Sequence, residues 1–175
     1  MTMMAKNEIS QWLARLGRGL GIAASLFVAG STHAAASDAG LVGTWGVQVT
    51  LRSCDPPNAP IGVPFNSIVT FHAGGTISET TASTGFAIGQ RTPGHGVWER
   101  EGRRTYSQKM MALVVFKTDP GPSGPGFEAG WLTVAHTVRL IDDHNLTSSG
   151  TNAFFRLDGT QYRAGCSTAV GRRFE

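Results

Sequence analysis

From Leu41 onward the chain alternates. Trp45, Val47, Val49 and Leu51 share one parity while Thr44, Gln48, Thr50 and Arg52 share the other, the period-2 pattern of a strand buried on one face. The same reading predicts strands over 65–72, 76–81, 97–100, 106–117, 131–141, 146–157 and 160–170. The strand over 106–117 departs from clean alternation, because Met110, Ala112, Val114 and Phe116 occupy one face and Met111, Leu113 and Val115 the other. Apolar character on both faces predicts cover on the outside, by a second subunit across 106–117 or by a terminal segment. No segment after Leu41 sustains a helical period.

The breaks between strands carry a second regularity. The first, third and fifth, at 53–63, 82–96 and 118–130, are long and rich in Gly, Pro, Ser or Thr. The second, fourth and sixth, at 73–75, 101–104 and 142–145, are tight turns. Hairpin loops of an up-and-down barrel alternate between its two ends, so this parity predicts one end closed by turns and one elaborated mouth. The fold class is therefore all-β, an eight-stranded antiparallel up-and-down barrel, which leaves no strand edge exposed.

The segment before the barrel reads differently. Lys6, Arg15 and Arg18 precede the apolar run Leu20 to Gly30, which is followed by small residues through Ala34 and Ala36. This is the pattern of a secretory signal peptide over 1–36, too short in its apolar part for a permanent membrane anchor. It leaves one domain over 37–175, roughly 140 residues and large enough for a core. Export implies a periplasmic or secreted protein. The formal charge is +3, of which Lys6, Arg15 and Arg18 against Glu8 account for +2. The remaining +1 excludes a nucleic-acid partner on electrostatic grounds.

Two cysteines remain, Cys54 after the first strand and Cys166 in the last. In an oxidising compartment they predict a disulfide, and neither has the Cys or His neighbours a metal site needs. Closing more than about 100 residues, the bridge is worth roughly 4–5 kcal/mol in the chain-entropy account. It would pin the seam where the first and last strands meet.

Gly43, Thr44 and Trp45 on a first strand, hairpin topology and a bridge from that strand to the last together resemble the lipocalin and calycin superfamily of ligand-binding barrels. The resemblance implies an arginine from a late strand packed over Trp45, with Arg163, Arg172 and Arg173 as alternatives. The chain is also similar to exported bacterial proteins of unassigned function that share GGTISET at 74–80, GHGVWER at 94–100 and the Gly165–Cys166 step.

Candidate chemistry is sparse. His95 lies between Gly94 and Gly96 at the mouth, and His136 interrupts the apolar face of Leu132, Val134, Val138 and Leu140, where a polar group needs a partner. Glu79 and Glu99 are the strand carboxylates, and with His95 and His136, Glu99 completes a candidate proton-transfer set. Trp98, Tyr106, Phe116 and Trp131 are candidate pocket walls, with Phe86 in a mouth loop as a lid. The histidines lack metal-ligand spacing, and neither a phosphate loop nor a nucleophile elbow is present. The sequence therefore predicts a barrel that binds a small apolar molecule without a cofactor. The alternative is a cofactor-free isomerase, cyclase or lyase acting on a terpenoid-, polyene- or epoxide-like substrate.

Overall fold

The computed structural model describes residues 40–121 and 125–175, and the predicted signal peptide over 1–36 lies outside the described residues. Eight strands follow one another: β1 (Gly43–Arg52), β2 (Pro60–Phe71), β3 (Thr76–Ala82), β4 (Gly94–Arg100), β5 (Thr105–Val114), β6 (Gly130–Leu140), β7 (Asn145–Arg156) and β8 (Gln161–Arg173). Each pairs antiparallel with the next and β1 pairs with β8, so the sheet is a closed up-and-down barrel. The alternation of long and tight loops holds, with 53–59, 83–93 and the described residues between β5 and β6 at one end and the short turns at the other.

Several strand boundaries differ from the sequence reading. β2 begins at Pro60 rather than Phe65, because a register shift between Val49 and Leu51 lets β1 and β2 continue pairing to Arg52 and Pro60. β4 begins at Gly94, which places His95 within a strand. β5 leaves the regular ladder after Val114, where the 83–93 loop takes over: Arg91 bridges Val114, and the Val115 amide donates to the Gln90 carbonyl at 2.8 Å. That short pairing anchors an otherwise irregular loop against the rim.

The closed end is a packed core of Leu41, Trp45, Phe71, Ile77, Trp98, Tyr106, Val138, Leu140 and Leu146. Trp45 is fully buried, and its indole Nε1 donates to the Leu41 carbonyl at 2.9 Å. Of the three arginines considered for the place over Trp45, Arg173 holds it. Its guanidinium lies 4.3 Å from the ring centroid and donates to the Val42 and Gly40 carbonyls. A Cβ on Gly43 would stand 2.7 Å from Arg173 Nη1, and Gly43 has φ of 131°, so the glycine of the Gly-x-Trp pattern makes room for the arginine.

Cys54 and Cys166 form a disulfide across the β1–β8 seam, 112 residues apart in sequence. Such a bridge fits an oxidising compartment, and no helix among the described residues is long and apolar enough to cross a membrane. The outer face of β5 is left uncovered by the described residues, with Met111 47% and Leu113 53% exposed.

Candidate functional site

Between the closed-end core and the mouth lies an internal cavity of about 460 Å³. Its walls are mostly apolar, including Val47, Val69, Met110, Leu132, Val134 and Phe154. A barrel of eight strands is wide enough to be filled by side chains or to hold one small ligand, and here valines, serines and an alanine stand at inward positions where larger residues would close the space. The mouth is partly covered by an aromatic group. Phe86 from the 83–93 loop stacks on Phe127 at 4.4 Å between centroids, and Phe127 lies 5.1 Å from Phe154. Gln90, fully buried, ties the two long loops by donating to the Phe116 carbonyl at 2.9 Å and to Thr118 Oγ1 at 3.0 Å. Arg163 stands 4.8 Å above the Phe127 ring and donates to the Gly126 carbonyl.

Two polar clusters interrupt the apolar wall. The first comes from β2, β3 and the 83–93 loop. Arg91 Nη2 donates to Glu79 Oε2 at 2.7 Å, and Ser67 Oγ donates to Glu79 Oε1 at 2.8 Å. The pair is buried, with side chains 6% and 3% exposed, and Arg91 Nε has no hydrogen-bond partner. A buried ion pair of this kind offsets much of its own attraction through desolvation and survives because each charge is held by several bonds.

The second cluster lies on β6, β7 and β8, which stand across the eight-stranded ring from β2 and β3. His136 places Nδ1 3.1 Å from Ser148 Oγ and Nε2 2.9 Å from Ser167 Oγ. Asn152 Nδ2 donates to Ser167 Oγ at 3.5 Å. Burial lowers the His136 pKa to about 4, so the imidazole is neutral at pH 7. Gln108 faces His136 from the adjacent strand, is 8% exposed and also lines the cavity.

The structure separates the residues the sequence singled out. His136 and Phe86 line the cavity. His95 and Glu99 do not, because both fall on the outer parity of β4 and are exposed, so the set of His95, His136 and Glu99 does not assemble. The glycines around His95 have another role. A Cβ on Gly94 would meet Glu79 Oε2 at 2.8 Å, and one on Gly96 would meet the Lys109 carbonyl at 2.0 Å. The Gly-His-Gly step thus lets a buried carboxylate and a neighbouring strand approach the backbone, instead of presenting an imidazole.

The aromatic residues also divide. Trp98 and Tyr106 pack into the closed-end core, with ring centroids 5.7 Å apart, and do not reach the cavity. Trp131 lies on the outward parity of β6, stacked on Phe155 at 5.6 Å, and Phe116 is 41% exposed beyond the end of β5. The residues that do shape the polar walls were largely unmarked in the sequence. Ser148 and Ser167 share inward parity with Leu146 and Ala169, a signal that was present but unremarkable beside so many serines, whereas nothing local points Arg91 inward. Among the described residues no group of three His, Cys, Asp or Glu side chains could hold a metal ion. No protein-family model matches the chain, and no curated protein matches it.

Proposed function

We propose that this barrel is an exported, calycin-like carrier or receptor that binds one small, mostly apolar molecule inside the cavity, entering past the long loops. The observation that carries this reading is the cavity itself: about 460 Å³ of largely apolar interior, within the range of small-molecule pockets. Apolar surface transferred from water into such a space stabilises a complex by roughly 25 cal/mol per Å² before the costs of immobilising the ligand. The bridge between Cys54 and Cys166 supports the exported setting.

The polar groups favour binding over proton transfer. Glu79 is engaged by both Arg91 and Ser67, and His136 has both ring nitrogens occupied by serines and a pKa near 4, far from the value suited to acid–base work at neutral pH. They are arranged as fixed dipoles that orient a ligand.

Fluorescence titration with the apolar dye 1-aminoanthracene tests the reading. Saturable enhancement with one dye per barrel is expected, with loss of at least tenfold in affinity when Val134→Trp fills the cavity. Enhancement that is unsaturable, or unchanged in the folded Val134→Trp variant, would refute an interior site.

A further inference from the structure

The second polar cluster contains more hydrogen-bond donors than the protein can use. A neutral imidazole carries one N–H, and Ser148 and Ser167 each carry one O–H. The two contacts, His136 Nδ1 to Ser148 and Nε2 to Ser167, consume two of these protons whichever tautomer is present. If Nδ1 carries the hydrogen, it donates to Ser148, Ser167 donates to Nε2, and the Ser148 hydroxyl proton is left over. If Nε2 carries it, the Ser167 proton is left over. Asn152 adds a donor to Ser167 and takes none away. Gln108, on the strand beside His136 and 8% exposed, makes no hydrogen bond through its carboxamide to another described residue. One wall of an apolar cavity therefore presents a spare serine hydroxyl and a spare amide, both lining the same space. These donors face the open space of the cavity, so a ligand that displaces water from them should supply an acceptor in its place.

We infer that the ligand carries a neutral acceptor oxygen, a carbonyl or ether oxygen on an apolar skeleton, which docks against Gln108 and the Ser148–His136–Ser167 cluster. This deepens the cavity-binding reading and rests on it. A carboxylate fits less well. The cluster holds no cation, and the Arg91 charge on the facing wall is already matched by Glu79 at 2.7 Å. A hydrocarbon of the same shape fits less well too, because it would strip water from these donors and return nothing. The imidazole lets the spare proton stand on either serine by a change of tautomer, so an oxygen can be met at two positions along the wall.

The test uses two probes that share a ten-carbon skeleton, carvone with its ketone and limonene without it, competing against 1-aminoanthracene on the intact barrel. Carvone is expected to bind about tenfold more tightly than limonene, the ratio that one well-placed hydrogen bond supplies in a dry site. Gln108→Leu should shrink that ratio while limonene affinity is kept or rises, and Ser167→Ala, which removes one proton and one contact together, should leave part of the ratio because a proton on His136 or Ser148 stays spare. Because a buried substitution can disturb folding, thermal melts accompany each variant. The carbonyl stretch of bound carvone, which moves to lower frequency in the wild type and less so in Gln108→Leu, gives a reading independent of affinity. Equal affinity for the two probes in the wild type, or a ratio and a carbonyl stretch untouched by the folded variants, would overturn the inference while leaving the cavity as a binding site. Failure of both probes and the dye to bind would overturn the cavity-binding reading itself.

Discussion

His136 shows how a single residue links burial to pH. Its pKa in the barrel is about 4 against an ordinary value of 6.5, with burial as the cause. Between those values the unfolded chain takes up a proton that the native barrel refuses. Stability is therefore full above pH 6.5 and falls as pH drops toward 4, by on the order of 3 kcal/mol from this group. Urea unfolding at pH 7 and pH 4.5 should show a larger acid loss for the wild type than for His136→Gln, and equal losses would contradict the buried neutral imidazole. Arg91 and Glu79 are a different case. Removing the arginine leaves a carboxylate buried 3% exposed beside Ser67 alone. Arg91→Met is expected to cost about 3–5 kcal/mol, read as a shifted urea midpoint. A cost below ~1 kcal/mol would contradict a buried Arg91–Glu79 ion pair.

At the level of strands, the barrel depends on a few places where backbone meets backbone or ring. Gly150 on β7 lies opposite His136, and a Cβ there would stand 2.0 Å from the Ala135 carbonyl and 2.6 Å from His136 Cδ2. Gly150→Ala should displace His136 and separate β6 from β7, costing more than ~2 kcal/mol in thermal or urea unfolding. A neutral effect would show that the ring has room to move. The β1–β8 seam is held by a ladder from Trp45 with Arg173 to Arg52 with Cys166, as well as by the bridge. Cys54→Ala with Cys166→Ala is accordingly expected to lose about 2–5 kcal/mol while keeping the strand signature in circular dichroism.

The strands themselves were readable because inward residues such as Trp45, Val47, Leu132 and Val138 alternate with polar ones, and half-buried sheet leaves that mark directly in sequence. The facing of β4 was harder. Residues 94–100 contain one large inward residue, Trp98, and the inward positions before it are Gly94 and Gly96, which carry no hydropathy signal, so His95 between them looked like a loop residue. Glu79 shared its face with Ile77 in the sequence, but its burial depends on Arg91, twelve residues away on a loop whose path is set by pairing with β5.

For the molecule as a whole, the parity of long and short loops carried the architecture, since closure forces successive hairpins to opposite ends. What parity does not carry is whether the interior is filled. That depends on side-chain volumes summed across eight strands: large aromatics such as Trp98 and Tyr106 gather at the turn-closed end, while serines and valines leave space nearer the mouth. The molecule consequently offers two apolar surfaces of different kinds, an enclosed interior and the exposed outer stripe of Met111, Leu113 and Val115. Methyl-resolved NMR during titration with carvone separates them most directly. The interior site requires saturable shifts at Val47, Val69, Leu132, Val134 and Leu146, with Met111, Leu113 and Val115 unmoved; shifts confined to that outer stripe, or absent from the interior methyls at saturation, would contradict a ligand-binding cavity.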